Sequence, residues 1–234
     1  MNEWTGMPLG KDTGAKMTRK QLEIFLSRLQ GIASPKLGLE QYPTPPEIAS
    51  AIIHWANLAH YDIRGKRVVD LGTGNGVLAI GAAKAGALEV VGVENDRESI
   101  HVASMNARCA SVDVSWIMGD IDAIRGRFDT ILMNPPFGTR RRHADLRFLK
   151  KALGIAGVTY SIHKSSTREF VMKFLQRKGA KLIEVFPSRL GISHLYPFHT
   201  DRRRTIEVDI YRIVGPLKQI AEGPPSEARE ESQD

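Results

Sequence analysis

From Lys66 onward the sequence alternates between short apolar runs and longer segments with helical periodicity. Apolar runs of this length are typical of buried β-strands, and the periodic segments are typical of helices that cover a sheet. This alternation predicts a parallel, doubly wound α/β sheet with helices on both faces. The seven predicted strands lie at residues 67–71, 90–94, 112–118, 128–133, 157–162, 181–186 and 205–213. The predicted helices of this region lie at residues 76–85, 97–109, 144–155 and 166–178.

Capping signals predict where three helices begin. Thr18 and Gln21 fit a capping box at the start of an amphipathic helix, and Ser166 and Glu169 fit a second one. Thr44 is predicted to N-cap a helix that opens on proline. The residues that the two N-terminal helices are expected to bury are Leu22, Phe25, Leu26, Leu29, Ile48, Ile52, Trp55 and Ala59.

The net charge of +7 is unevenly distributed along the chain. The last 13 residues contain five acidic residues and one arginine, which leaves 32 basic and 21 acidic residues in positions 1–221. A basic excess suits an acidic partner such as nucleic acid, although surface charge also serves solubility alone. The Pro- and Glu-rich end has little to bury. We therefore predict an irregular N-terminal segment (1–17), one domain with an N-terminal helical extension (18–215) and an acidic disordered tail (216–234).

Composition excludes several classes of protein. The single cysteine, Cys109, excludes a disulfide framework and a zinc site built from several cysteines. The N-terminus lacks the apolar core of a signal peptide, and no apolar run approaches the roughly 20 residues of a membrane helix. We expect a cytoplasmic protein that holds no metal ion and does not enter a membrane.

A glycine-rich loop follows the first predicted strand. It begins at Asp70 and contains Gly72, Gly74 and Gly76, where glycine permits a tight turn and the close approach of a ligand. The second predicted strand ends at Glu94, at the position where an acidic side chain binds the ribose hydroxyls of nucleoside cofactors. The loop lacks the third glycine of the dinucleotide fingerprint. The pattern favours a nucleoside cofactor, either NAD or S-adenosylmethionine, over an ordinary turn between strand and helix.

Asp120 and Ile121 follow the third predicted strand at the same edge of the sheet. The carboxylate of Asp120 could accept a hydrogen bond from the amino group of an adenine while Ile121 packs against the ring. A cap on the next turn is an equally good interpretation of Asp120.

The fourth predicted strand ends in Asn134, Pro135, Pro136 and Phe137, and this motif points to a reaction. An exocyclic amine on an aromatic ring is a poor nucleophile because its lone pair is delocalised. The side-chain oxygen of Asn134 and the carbonyl of Pro135 can accept its two N–H bonds and aim the lone pair at an electrophilic methyl group. The prolines fix the backbone, and Phe137 offers a face on which a base stacks. A rigid turn is the alternative interpretation of the motif.

With these residues the chain resembles the class I S-adenosylmethionine-dependent methyltransferases, whose seven-stranded sheet has an antiparallel last strand. It is most similar to the methyltransferase-like-five family, which methylates N6 of an adenosine in small-subunit ribosomal RNA. The similarity covers about residues 37–213. The motifs that carry it lie at residues 41–44, 70–76, 133–139, 161–169, 198–199 and 206–209.

The resemblance implies roles for individual residues. Gln41 and Thr44 would reach over the cofactor from the N-terminal segment, and residues 134–137 would hold the adenine. Animal members of the family have cysteines in place of Thr73 and Asn75, and they depend on a small zinc-containing activator protein that pairs along an exposed sheet edge. An activator of this kind is therefore a candidate partner. The other residues expected to bind the cofactor are Asp70, Gly72, Gly74, Asn75, Val77, Glu94, Asp120 and Ile121.

Basic residues cluster in the loops predicted to surround this site. Strand-end loops converge on one edge of such a sheet, so these residues are predicted to bind RNA phosphates, although a run of charges is often only solvated surface. The target adenine must be unstacked to enter the pocket. For His163, a backbone contact at the strand end is an equally good interpretation. The predicted RNA-binding residues are Arg140, Arg141, Arg142, His163, Lys164, Arg202, Arg203 and Arg204.

The sequence therefore predicts an RNA adenine-N6 methyltransferase. One alternative is a protein glutamine methyltransferase, because the same motif chemistry suits any planar amide. Two features disfavour this alternative: Phe137 stands in place of a tyrosine, and the loops around the site are basic. The second alternative is an RNA-binding ribosome assembly factor that holds the cofactor and does little chemistry.

Overall fold

The structure, a computed structural model, describes residues 17–33, 35–36, 38, 40–138, 144–192 and 204–216. The side chains of Ile192 and Arg204 are not described. Apart from Met17 and Pro216, the predicted irregular segment (1–17) and the predicted disordered tail (216–234) lie outside these residues.

One mixed sheet contains all the predicted strands: β1 (Arg67–Leu71), β2 (Glu89–Glu94), β3 (Ser115–Met118), β4 (Phe128–Met133), β5 (Ala156–Lys164), β6 (Lys181–Ile192) and β7 (Arg204–Val214). Their order across the sheet is β3-β2-β1-β4-β5-β7-β6. Strands β1 to β5 pair in parallel, and β7 is antiparallel to both β5 and β6. The predicted doubly wound sheet with an antiparallel last strand is confirmed. β6 is longer than predicted because it pairs with β7 as far as Ile192.

Within the described residues, the α-helices are α1 (Arg19–Leu26), α2 (Pro46–Leu58), α3 (Val77–Lys84), α4 (Arg97–Cys109), α5 (Ala144–Ile155) and α6 (Arg168–Arg177). Helices α1 to α4 contribute to the core on one face of the sheet, and α5 and α6 contribute to the core on the other. Successive residues of a strand point to opposite faces. Val68 accordingly packs in the first core and Val69 in the second.

The capping box predicted at the start of α1 is confirmed. The hydroxyl of Thr18 accepts from the backbone N–H of Gln21, and the Gln21 side chain accepts from the backbone N–H of Thr18. Leu22 and Leu26 are buried as predicted. Ala59 is exposed, contrary to the prediction, because α2 ends at Leu58 and does not carry Ala59 onto its buried face.

Two capping predictions are wrong. α2 has no side-chain cap, and the hydroxyl of Thr44 instead accepts a hydrogen bond from the side chain of Asn134. The capping box at Ser166 and Glu169 does not form, because a short 3-10 helix (Ser165–Thr167) occupies this position and α6 begins after it without a side-chain cap.

The segment between α1 and α2, residues 27–45, is called the strap below. Its described part crosses the carboxyl ends of the parallel strands. The backbone of Gln30 bonds to the side chains of Asn75 and Asn106, and the carbonyl of Tyr42 accepts from the side chain of Asn134. The strap therefore faces the ends of β1, β2 and β4, where a doubly wound sheet binds its ligands.

Candidate active site

A cavity of about 350 Å³ lies between the strap and the carboxyl ends of β1, β2 and β4. Asn134 and Pro136 of the predicted catalytic motif are part of its wall. All residues predicted to bind the cofactor also line it: Gln41, Thr44, Asp70, Gly72, Gly74, Asn75, Val77, Glu94, Asp120 and Ile121. The structure thus brings together motifs that are spread between residues 41 and 136 of the sequence.

Several residues of the cavity wall were not predicted as site residues from the sequence. They include Tyr42 in the strap and Arg147 and Phe148 in α5. Tyr42 carried a signal because it lies inside the 41–44 motif. Arg147 and Phe148 carried none, since α5 has the sequence of an ordinary amphipathic helix.

The glycine loop between β1 and α3 depends on backbone angles that other residues rarely adopt. Gly72 and Gly76 have φ angles of +72° and +86°. A Cβ atom at Gly72 would also lie 3.1 Å from the ring of Phe148. Glycine is therefore favoured at both positions by the backbone angle, and at Gly72 also because a side chain would crowd Phe148. At Gly72 the backbone itself forms part of the cavity wall.

Asp70 is buried at the end of β1 and joins the glycine loop to α3. Its Oδ2 accepts from the Thr73 hydroxyl at 2.6 Å and from the Ala79 backbone N–H at 3.1 Å. Its Oδ1 has no hydrogen-bond partner among the described residues. Burial raises the pKa of Asp70 to about 7, and the two hydrogen bonds oppose this rise only in part. Asp70 therefore positions the loop, and a direct contact with the cofactor stays a prediction.

Glu94 ends β2 and binds backbone groups on two sides. Its Oε2 accepts from the Gly74 N–H at 3.0 Å, while Oε1 accepts from the N–H groups of Asn95 and Asp96, each at 2.9 Å. Burial raises the pKa of Glu94, and these hydrogen bonds oppose the rise. The carboxylate thus connects the glycine loop to the start of α4 at the position predicted for the ribose.

The capping interpretation of Asp120 is confirmed. Its Oδ1 accepts from the Asp122 N–H at 2.9 Å and caps a short 3-10 helix (Ile121–Ala123). The same oxygen pairs with the guanidinium of Arg147, which holds the pKa of Asp120 below its usual value. Arg147 also contacts Asp122 at 2.6 Å. A contact between Asp120 and an adenine stays a prediction.

Two contacts fasten the strap to the start of α4. Gln41 donates from Nε2 to the Ser99 hydroxyl at 3.2 Å, and its Oε1 accepts from the Lys36 backbone N–H at 2.6 Å. The Lys36 ammonium pairs with Asp96, the N-cap of α4. Burial alone raises the pKa of Asp96, but hydrogen bonds from Lys36 and Ser99 outweigh it and lower this pKa to about 2. Gln41 is therefore held at the cavity by α4.

Asn134, directly after β4, is held by the far end of the strap. Its Nδ2 donates to the Tyr42 carbonyl and to the Thr44 hydroxyl oxygen, each at 3.1 Å. Because a carbonyl oxygen only accepts, the Tyr42 contact establishes which end of the amide is nitrogen. The Oδ1 atom is buried and finds no hydrogen-bond partner in the described part of the chain. Such an acceptor is unfavourable by roughly 1–3 kcal/mol, so it is a natural place for a donor on a ligand.

An aromatic pair lies beside Asn134. The ring of Phe137 stacks on Tyr42, with centroids 5.7 Å apart and planes 20° from parallel. The Nζ atom of Lys164, the last residue of β5, lies 5.7 Å from the Phe137 ring centroid. Lys164 therefore brings a positive charge next to the predicted base-stacking residue.

His163 is buried beside this site and does not face solvent. Its ring is 1% exposed and stacks on Tyr211, with centroids 5.3 Å apart. Its Nε2 lies 2.7 Å from the Ser161 hydroxyl, and its Nδ1 lies 3.6 Å from Asp145 of α5. This enclosure argues against the predicted RNA contact of His163, because the packing of β7 and α5 leaves its ring no open side. Its partners are side chains, so the alternative of a backbone contact is not observed either.

Most of the predicted RNA-binding arginines lie outside the described residues. This holds for Arg140, Arg141, Arg142, Arg202 and Arg203, and Arg204 is described only as the first backbone position of β7. Among the residues that the structure describes, no group of histidine, cysteine, aspartate or glutamate side chains is arranged to hold a metal ion. No described helix has both the length and the apolar character needed to cross a membrane.

Comparison with known proteins finds relatives over most of the chain. Residues 50–155 match the family model described as Methyltransferase small domain. The rRNA N(6)-adenosine-methyltransferase Mettl5 of Drosophila melanogaster is 40% identical over 209 residues, which is 85% of this chain and 97% of the fly protein. The rRNA N(6)-adenosine-methyltransferase METTL5 of Danio rerio is 36% identical over 206 residues, which is 84% of this chain and 99% of the fish protein.

A solved structure has the same fold at comparable identity. This Pyrococcus horikoshii protein, described as a candidate RNA methyltransferase, is 42% identical and superposes with a TM-score of 0.78. The match covers 85% of this chain and 98% of the archaeal protein. The similarity to these relatives thus extends over nearly their whole length and is not confined to a cofactor-binding half.

Proposed function

This chain belongs to the family of the Mettl5 rRNA N(6)-adenosine-methyltransferases, and we propose that it transfers a methyl group from S-adenosylmethionine to N6 of an adenosine in small-subunit ribosomal RNA. The observation that carries the proposal is the buried Oδ1 of Asn134 in the cavity wall, which has no hydrogen-bond partner within the described residues. The amino group of adenine is a donor that fits this acceptor. A ribosomal RNA substrate is consistent with the cytoplasmic location expected from the sequence, which stays a prediction.

The cavity fits S-adenosylmethionine. The backbone of Gly72 and Gly74 lines the cavity, and Glu94 lines it as well and would bind the ribose hydroxyls. Asp120 and Ile121 line the same cavity and would bind the adenine of the cofactor. When it is bound, the cofactor supplies an electrophilic methyl group on a positively charged sulfur.

The chain's own residues contribute hydrogen-bond acceptors and alignment to the reaction. Asn134 Oδ1 accepts one N–H of the target amine, and the Pro135 carbonyl accepts the other, so the nitrogen lone pair is drawn out of conjugation. The two prolines hold both acceptors in place beforehand. The amine releases its extra proton to water once the new bond has formed, so no side chain has to act as a general base.

The RNA strand is proposed to lie across the same edge of the sheet. Lys164, at the end of β5, holds a positive charge near Phe137 and would neutralise a phosphate beside the flipped base. In the sequence, the arginines at positions 140–142 follow β4, and those at 202–204 lie directly before or at the start of β7. They would extend this contact along the strand.

A small zinc-containing activator protein is the proposed protein partner, and its proposed docking site is the β3 edge. β3 is an outer strand of the sheet, so its backbone can pair with a strand of another protein. Met118 of β3 and Met105 of the neighbouring α4 are 61% and 41% exposed. Co-expression with such an activator is expected to raise the yield of active protein, and Met118→Lys should abolish the complex. A chain that is equally active alone contradicts this partner.

Methyl transfer by the purified protein tests the proposed function. The protein, alone and with the activator, is incubated with radiolabelled S-adenosylmethionine and with small-subunit ribosomal RNA from cells that lack the protein. We expect the label in N6-methyladenosine and none in glutamine-containing peptides. Label in peptide glutamine with unmodified RNA would establish the protein methyltransferase instead. Cofactor binding without label in either substrate would indicate a non-catalytic assembly factor.

A further inference from the structure

We propose that Thr44 is a positioning residue: the Tyr42 carbonyl selects the orientation of the Asn134 side-chain amide, and the Thr44 hydroxyl is the second acceptor that keeps Oδ1 aligned with the target amine. The inference rests on the proposed function, because it assigns the group that prepares the acceptor for the reaction. The sequence predicted other roles for Thr44, as a helix cap and as a contact of the cofactor.

The amide of Asn134 has two orientations, related by a half-turn, and only one of them suits methyl transfer. In the observed orientation Nδ2 faces the Tyr42 carbonyl and the Thr44 hydroxyl, and Oδ1 has no partner among the described residues. In the opposite orientation, Oδ1 would face the Tyr42 carbonyl and Nδ2 would face the amine. Two acceptors would then meet on one side and two donors on the other.

Two acceptors hold the amide more firmly than one. Nδ2 carries two hydrogens, and the structure provides one acceptor for each, at 3.1 Å in both cases. Without the Thr44 oxygen, the amide would be held by the Tyr42 carbonyl alone and could swing about that single hydrogen bond. The acceptor for the amine would then lose its alignment, on which a reaction without a general base depends.

The position of Thr44 in the strap supports this role. The side chain is 8% exposed, and its hydroxyl contacts Asn134, 90 residues further along the chain, although α2 begins next to it without a side-chain cap. Pro45 and Pro46 restrict the backbone on one side of Thr44. On the other side, the contacts of Gln41 and Lys36 with α4 hold the strap. The hydroxyl is thus fixed from both directions.

The test compares Thr44→Val with Thr44→Ser. Valine keeps the shape of threonine and removes the acceptor, so we expect kcat to fall roughly tenfold. The KM for small-subunit ribosomal RNA should change by less than about twofold, because the inference assigns the Thr44 hydroxyl to Asn134 and not to the RNA. The Kd of S-adenosylhomocysteine is measured separately, because Thr44 also lines the cofactor cavity. Serine keeps the hydroxyl and should restore kcat to within about threefold of the wild type.

Thr130→Val is the matched control. Thr130 is a buried threonine of β4 whose hydroxyl donates to the Asp62 carbonyl, and it does not line the cavity. This variant should lower thermal stability and leave kcat unchanged. It separates the loss of any buried threonine hydrogen bond from the loss of the contact with Asn134.

Three results would overturn the inference. An unchanged kcat in Thr44→Val would show that the amide needs no second acceptor, and a weaker Kd for S-adenosylhomocysteine with unchanged kcat would make Thr44 a cofactor contact. A serine variant as impaired as the valine variant would indicate a purely structural role. A wild-type protein that does not methylate RNA would overturn the proposed function and this inference together, whereas the three results above overturn only the inference.

A measurement on the wild type keeps the inference testable even where the valine variant does not fold. Both side-chain N–H hydrogens of Asn134 have acceptors, so in nuclear magnetic resonance spectra both should exchange slowly with solvent. Rapid exchange of the hydrogen that faces Thr44 would contradict the proposed contact.

Discussion

Replacing Asn134 by alanine removes the acceptor on which the proposed chemistry depends. Loss of one preorganised hydrogen-bonding group at a reacting centre lowers kcat by roughly 100- to 1000-fold, or about 3–4 kcal/mol. We expect an effect of this size because Oδ1 is buried and has no partner in the described structure other than the one a substrate would supply. The variant also removes the two hydrogen bonds that Asn134 donates to Tyr42 and Thr44, but it removes the unpartnered Oδ1 as well, so the free energy of unfolding should change by less than about 2 kcal/mol.

The assay for Asn134→Ala is single-turnover methylation of small-subunit ribosomal RNA, with the Kd of S-adenosylhomocysteine measured by calorimetry. The Kd should stay within about twofold of the wild-type value, since the side-chain amide of Asn134 is assigned to the base and not to the cofactor. Asn57→Ala is the matched control, because the Asn57 side-chain amide likewise makes two hydrogen bonds, with the Ala85 carbonyl and the Arg64 N–H, away from the cavity. A turnover rate for Asn134→Ala within about threefold of the wild type would refute the reasoning.

Three further predictions concern the loop, the cofactor and the RNA. The pKa of the Asp70 carboxyl is about 7 in the folded protein, against an ordinary value of 3.8. The folded state therefore binds this proton more tightly than the unfolded state, and the free energy of unfolding should fall as the pH rises from 3.8 to about 7. Asp70→Asn should flatten that part of the profile in thermal denaturation, and an unchanged profile would contradict the raised pKa. Gly72→Ala introduces a Cβ atom 3.1 Å from Phe148 at a φ of +72°. The affinity for S-adenosylhomocysteine, measured by calorimetry, should therefore weaken by roughly tenfold or more. An affinity within about twofold of the wild-type value would contradict this prediction. Lys164→Gln should weaken RNA binding and reduce the slope of log Kd against log salt by about one, whereas an unchanged slope would exclude a phosphate contact.

The convergence of the site could be predicted because it depends on strand ends. Asp70, Glu94, Asp120 and Asn134 each end or follow a strand of the parallel sheet, and such ends meet at one edge. Local patterns were enough to locate these strands and the residues at their ends, whereas the resemblance to a known family was needed to predict Gln41, Thr44, Asn75 and Val77. The convergence of strand ends also predicted that Lys164 lies near this edge of the sheet.

Contacts between residues far apart in sequence could not be predicted in this way. A local rule assigned Thr44 to a helix cap, yet its hydroxyl bonds to Asn134 across the cavity, because tertiary packing offers a buried amide that competes with the cap. His163 was predicted to contact either RNA or the backbone, and it is enclosed by Asp145 and Tyr211 instead. The pairing of Arg147 with Asp120 likewise depends on how α5 packs against the sheet edge.

The most direct test of the central claim is mass spectrometry of small-subunit ribosomal RNA from cells with and without this protein. The proposed function predicts that one N6-methyladenosine is lost when the protein is removed. It also predicts that the wild-type chain restores this nucleoside and that the Asn134→Ala variant does not. An unchanged level of N6-methyladenosine in cells without the protein would contradict the assignment, and full restoration by Asn134→Ala would contradict the mechanism.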